Sequence, residues 1–187
     1  MLPIYVVNNF GQFNHLIHRA LRDLDIDASL IPNSTPPEEI REACRGIILG
    51  GGPSIDRAGN CSEYLDLGLP VLGICLGLHI IANRFGGRVH TGQKGGYGPV
   101  DVEICENDVI LAGYPQKISV WASHADEVSR MPEGFTLLAR SSICANEAIA
   151  FPEKQIYGLQ WHPEVSHTFE GKRVFENFDQ ITLENGE

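Results

Sequence analysis

Four short runs of almost wholly apolar residues occur before position 75, at 4–8 (IYVVN), 28–31 (ASLI), 46–49 (GIIL) and 70–74 (PVLGI). Helix-length segments separate them. Residues 15–24 carry Ile17, Ala20, Leu21 and Leu24 at i, i+3, i+4, i+7, one apolar face of a helix. Thr35-Pro36-Pro37-Glu38 offers an N-cap, a proline at the first helical position and a capping-box glutamate for a helix over 37–44. Further helices are expected around 61–67 and over 76–84. Continuously apolar strands alternating with helices predict a parallel sheet covered on both faces.

From residue 88 the pattern changes. Segments 100–104, 118–120, 136–139, 148–151 and 156–160 read as strands with turns rather than helices between most of them, and a closing helix is expected near 169–178. The expected fold is three-layer α/β in one domain spanning 1–187: a mostly parallel central sheet, helices on both faces, and some antiparallel strands in the C-terminal half. At 187 residues, 43% of them hydrophobic and 20% charged, the chain has the composition of an ordinary globular domain with a real core.

Lys and Arg total 14 against 24 Asp and Glu, a net charge of −10, which argues against a nucleic-acid partner. The longest apolar stretch, 69–82, is interrupted by Pro70, two glycines and His79, so no membrane span is expected. The N-terminus lacks the basic region of a signal peptide. Five cysteines without a CxxC pair then read as reduced thiols, and a cytoplasmic location is expected. The seven histidines complete no metal-ligand motif: His15 and His18, or His162 and His167, lack thiol or carboxylate partners at suitable spacing. No metal is expected.

The sharpest chemical signal is Gly73-Ile74-Cys75-Leu76-Gly77, a G-x-C-x-G between an expected strand and an expected helix. Small residues flanking the nucleophile permit the tight turn of a nucleophile elbow. A helix N-terminus beside the sulfur favours thiolate over thiol. A cysteine nucleophile needs a base, and the base needs an orienting group. Gln160-Trp161-His162-Pro163-Glu164 supplies both, with His162 as proton carrier and Glu164 holding its tautomer. The turn Gly50-Gly51-Gly52-Pro53 follows a neighbouring strand, where backbone N–H groups can meet an oxyanion alongside Leu76 N–H. Its glycines are expected to leave it free to reorient. It is neither a dinucleotide fingerprint, which needs another glycine at Ile55, nor a P-loop, which needs Gly-Lys-Ser/Thr.

Taken together, GGGPS, GICLGLH and QWHPEVSHT closely resemble the class I (triad) glutamine amidotransferases, over residues 4–178. The resemblance implies hydrolysis of L-glutamine to glutamate and ammonia through a thioester on Cys75. His162 and Glu164 would complete the triad, with Gly52 and Leu76 as oxyanion donors. It also implies substrate contacts from His79, which stands where the family usually has glutamine, and from Ser123, His124, Ala125 and Asp126. The blocks WASHADEV (121–128) and HPEVSHT (162–168) look like those of the amidotransferases that serve GMP synthesis. A chain of this length has no room for an ATP pyrophosphatase domain. A separate synthetase subunit is therefore expected to bind ATP and magnesium and to aminate XMP, this chain needing no cofactor. Gly96, Tyr97, Ser166, His167 and Thr168 are expected to face that partner. Alternatives are the glutaminase subunit of an anthranilate or aminodeoxychorismate enzyme, a cysteine peptidase or γ-glutamyl hydrolase on a related fold, and a non-catalytic regulatory subunit.

Overall fold

In the computed structural model, which describes residues 1–107 and 109–185, the four apolar runs become adjacent parallel strands. These are β1 (Ile4–Asn8), β2 (Ala28–Pro32), β3 (Gly46–Leu49) and β4 (Val71–Ile74). Between them lie α1 (Asn14–Asp23), α2 (Pro37–Ile40) and α3 (Cys61–Tyr64), and α4 (Leu76–Arg84) follows β4. The later half contributes β5 (Arg88–Ile104), β6 (Lys117–Arg130), β7 (Thr136–Ser141), β8 (Ala148–Phe151), β9 (Ile156–Leu159) and α5 (Lys172–Glu184). All nine strands form one sheet in the order β2-β1-β3-β4-β9-β8-β7-β5-β6. Pairing is parallel from β2 through β9 and antiparallel from there to β6.

Strand alternation divides the core. Ile48 and Leu72 point to the face packed with Ile17, Leu21, Phe175 and Phe178. Ile47, Leu49 and Val71 point to the other, with Tyr64, Leu78 and Ile81. Every residue of β3, β4 and β9 is buried, which is why these runs carry no polar alternation.

Several boundaries differ from the sequence expectation. Pro36, not Thr35, occupies the N-cap position of α2, with no side-chain cap, and Thr35 Oγ1 instead donates to Pro32 O at 2.7 Å. The helix ends at Ile40. The closing helix starts at Lys172 rather than near 169, because residues 162–171 form successive turns whose amides are bonded locally or to β6. The glycine-rich segment 94–98 lies inside β5, where a register shift between Thr91 and Gly96 absorbs its extra residues. Gly95 and Gly98 adopt φ of 61° and 97° there, which glycine permits without strain.

Candidate active site

The cysteine elbow forms as its spacing requires. Cys75 sits between β4 and α4 at φ 55°, ψ −105°, a conformation that L-residues occupy only when their surroundings hold them in it. Its flanking residues have no room for side chains. A Cβ on Gly73 would lie 2.5 Å from the Gly77 carbonyl carbon, and one on Gly77 would lie 2.3 Å from Leu49 O. Cys75 N–H donates to Leu159 O at 2.8 Å, tying the elbow to the end of β9.

That pairing brings the second motif into place. Residues 160–162 leave β9 beside the elbow, with His162 and Gln160 both buried. His162 Nδ1 is 2.6 Å from Glu164 Oε1, and the two side chains are 5% and 1% exposed. Burial pulls the imidazole pKa down. Hydrogen bonds to Cys75 and Glu164, with the charges of both groups, outweigh burial and raise it to about 10. The ring also packs edge-on against Phe13 at 5.1 Å. The site therefore holds a thiol, an imidazole that readily carries a proton, and a buried carboxylate behind it, the chemical order of a nucleophile–base–orienter set.

The turn at 50–53 lies against this pair: a Cβ on Gly51 would sit 3.5 Å from His162 Cε1 and 3.9 Å from Cys75 Cβ. Contrary to the expectation of a freely reorienting turn, its carbonyls are clamped. Asn9 Nδ2 donates to Gly50 O at 3.1 Å and Asn14 Nδ2 to Gly51 O at 3.0 Å. The Gly50 N–H is likewise spent, donating to Val7 O at 3.2 Å. Leu76 N–H, at the start of α4, belongs to the helical turn whose amides have no intrahelical acceptor. Sequence reasoning misses Asn9 and Asn14. Their signal is two asparagines flanking an apolar strand and opening a helix.

Cys75, His162, Gly52 and Leu76 line a cavity of about 650 Å³ together with Ser123, His124, Ala125 and Asp126 of β6. Cys75 Sγ is 3.8 Å from Ser123 O. His124 is buried, and its Nδ1 bonds Asp126 O at 2.9 Å. Burial chiefly lowers its pKa to about 4, so it is neutral near pH 7. Ala125 and Asp126 are exposed at the rim.

His79 reaches the cavity wall but is only 4% exposed, and its Nε2 is committed to Gln160 Oε1 at 2.8 Å. Sequence reasoning misses Gln160 as well; its signal is an amide ending an apolar strand next to the histidine motif. Of the residues expected to face a partner, Tyr97 is 73% exposed and Ser166 and His167 are exposed. Gly96 and Thr168, expected on the same surface, are buried in this chain. Thr168 Oγ1 donates to His162 O at 2.7 Å and accepts from Trp121 N–H at 3.0 Å, so its hydroxyl braces the histidine turn. Among the described residues, no group of three His, Cys, Asp or Glu side chains could hold a metal ion, and no helix is long and apolar enough to cross a membrane.

Residues 5–181 match the family model for class-I glutamine amidotransferases. The chain belongs to that family. Among its amidotransferase relatives, a glutamine-hydrolyzing GMP synthase subunit of Methanoregula boonei is 75% identical over 98% of this chain and 100% of its own length. The protein of the same name from Methanosarcina barkeri is 59% identical over 96% of each chain. A crystal structure from Thermoplasma acidophilum, described as that of a GMP synthase subunit, superposes on this amidotransferase with a TM-score of 0.94 at 36% identity, covering 100% of this chain and 96% of that one. A glutamine amidotransferase from Thermotoga maritima shares the fold at a TM-score of 0.75 and 19% identity, covering 99% and 85% of the two chains.

Proposed function

We propose that this amidotransferase hydrolyses L-glutamine to glutamate and ammonia, and supplies the ammonia to a separate ATP pyrophosphatase subunit that aminates XMP to GMP. The observation that carries the reading is the buried Cys75–His162–Glu164 set, in a chain 75% identical along its whole length to a glutamine-hydrolyzing GMP synthase subunit.

With the Cys75 proton held on His162, Sγ attacks the carboxamide carbon of glutamine. The oxygen that becomes negative is stabilised by backbone N–H groups of Gly52 and Leu76, which line the same cavity as Cys75. His162 then protonates the departing nitrogen, which leaves as ammonia with the thioester remaining on Cys75. Water attacks that thioester with His162 as general base, and glutamate leaves. Glu164 holds the Nδ1 proton and offsets the imidazolium charge throughout. The stretch Ser123–His124–Ala125–Asp126 binds the amino-acid end of the substrate, and exposed Asp126 at the rim suits its ammonium group.

The chain itself uses no cofactor; ATP and magnesium belong to the synthetase subunit. Tyr97, Ser166 and His167 lie on the surface offered to that partner, and the reaction belongs in the cytoplasm. The test is to combine the chain with an ATP pyrophosphatase subunit, XMP, ATP, magnesium and glutamine. GMP formation that requires both chains supports the reading. Glutamine hydrolysis without GMP under any mixture overturns the synthetase assignment.

A further inference from the structure

Behind the sulfur lies a hydrogen-bonded chain that the triad does not use. Gln160 is fully buried, and its carboxamide Nε2 lies 3.8 Å from Cys75 Sγ, within reach of a sulfur acceptor. Its Oε1 meets His79 Nε2 at 2.8 Å. The Gln160 backbone N–H donates to Glu147 O at 2.7 Å, and the side chain is held at both ends of its amide, by His79 and by the sulfur. We propose that Gln160 is a positioning residue for Cys75: its amide N–H donates to the sulfur as a thiolate, and His79 locks the amide with that donor facing sulfur.

A carboxamide has a donor end and an acceptor end of nearly equal shape. With the ends exchanged, the oxygen would face Sγ, accept from the neutral thiol and oppose the thiolate. Hydrogen bonding to the charged form of a group favours that form, and bonding to its neutral form disfavours it. His79 decides between these orientations, because a donating Nε2–H can pair only with the amide oxygen. Burial lowers the His79 pKa, leaving one ring proton, and this pairing spends it at Nε2. The competing acceptor for the thiol proton, Ser123 O, lies on β6 at 3.8 Å from Sγ.

The other titratable groups around the sulfur are His162 with Glu164 behind it, on the turn after β9, and His124 and Asp126 on β6; His124 is neutral near pH 7, and the Asp126 charge acts on His79. None of them takes over the Gln160 donor position. The inference rests on the reading of Cys75 as the nucleophile, and it assigns His79 a task at the sulfur instead of at the substrate.

The test is the rate at which iodoacetamide alkylates Cys75 in the full chain, resolved by peptide mass so that exposed Cys105 is counted separately, from pH 5 to 10. A thiolate is the reacting form, so Gln160→Leu is expected to alkylate about tenfold more slowly than the parent at pH 7 and to approach it at pH 10. Gln160→Met, which keeps the side-chain volume, should behave alike and guards against loss of folding in the leucine variant. His79→Leu should slow alkylation in the same direction by about threefold, and adding it to Gln160→Leu should change nothing further, as groups acting through one another are non-additive. With glutamine, kcat should fall while KM is held. Parent-like alkylation at pH 7 in both Gln160 variants overturns the proposal, as does independent multiplication of the two effects. A chain that releases no glutamate but keeps the Gln160-dependent alkylation profile supports this inference while the glutaminase reading falls.

Discussion

His162 Nδ1 and Glu164 Oε1 stand 2.6 Å apart although only Pro163 separates the two residues in the chain. In a strand, residues i and i+2 project side by side on one face; here the turn after β9 folds the carboxylate back onto the ring. Glu164 Oε2 is buried and, among the described residues, has no hydrogen-bond partner, so the carboxylate is committed to the imidazole. Replacing Glu164 with Gln keeps an acceptor for the Nδ1 proton and removes the charge. His162→Ala is therefore expected to reduce glutamate release by about 10²–10⁴-fold, the usual contribution of a proton-transfer group, with Glu164→Gln doing less harm. Steady-state glutamate release by both variants checks the order; equal losses would show that charge, not orientation, is what Glu164 supplies.

Cys75→Ala removes the single nucleophile at the elbow and leaves a smaller side chain where the parent is already confined. Glutamine hydrolysis is expected to disappear, while the circular dichroism spectrum stays that of the parent. Synthesis by the partner from added ammonia should survive. Substituting Cys44, Cys61, Cys105 or Cys144 should have no comparable effect on glutamate release, since Cys44 and Cys144 are buried in the core, Cys105 is exposed, and Cys61 reaches only Asn9 Oδ1 at 3.2 Å. Residual hydrolysis by the Cys75 variant would remove the thioester mechanism.

Gly77→Ala tests the elbow by packing alone. The added Cβ would lie 2.3 Å from the Leu49 carbonyl oxygen, a backbone atom of β3 that has no rotamer to escape into. Overpacking of this kind costs about 1–3 kcal/mol, read as a lower midpoint in urea unfolding. Activity should fall further than stability, because the displaced backbone is the one that aims Cys75. An unchanged midpoint would show that β3 yields more easily than its full burial implies.

Glu147 supplies a pH dependence of stability separate from catalysis. It is fully buried, Ser141 Oγ donates to its Oε1 at 2.6 Å, and burial, partly offset by that bond, raises its pKa from 4.5 to about 7. A carboxyl whose folded value is raised stabilises the fold fully below pH 4.5, and that contribution is lost as pH rises through about 7. At about 1.4 kcal/mol per unit, the loss is on the order of 3 kcal/mol. Glu147→Gln cannot ionise, so its unfolding free energy relative to the parent should rise between pH 4.5 and 7 and level off above. Parallel stability curves across that window would place the titration on another group.

Much was legible in the one-dimensional pattern because local constraints wrote it. Parallel strands buried on both faces must be continuously apolar, so 4–8, 46–49 and 70–74 announced themselves and the α/β architecture followed. G-x-C-x-G could be read for a similar reason: the clash at Gly73 is with Gly77, one turn on, whereas the closeness of Gly77 to Leu49 O of β3 is a tertiary contact. The motif pair also pointed to the family that residues 5–181 match. Tertiary structure alone decided what lies across strands. Pairing of β4 with β9 brings Cys75 to Leu159 and Gln160 over more than eighty residues of chain, and neither periodicity nor spacing encodes which strand ends become neighbours. The clamps of Asn9 and Asn14 on the glycine turn, the burial of Thr168 beneath His162 and the turning of His79 away from solvent toward Gln160 are likewise set by how distant parts of the chain pack. A side chain's type limits which hydrogen bonds it can make, but which partner it meets depends on how the sheet is assembled.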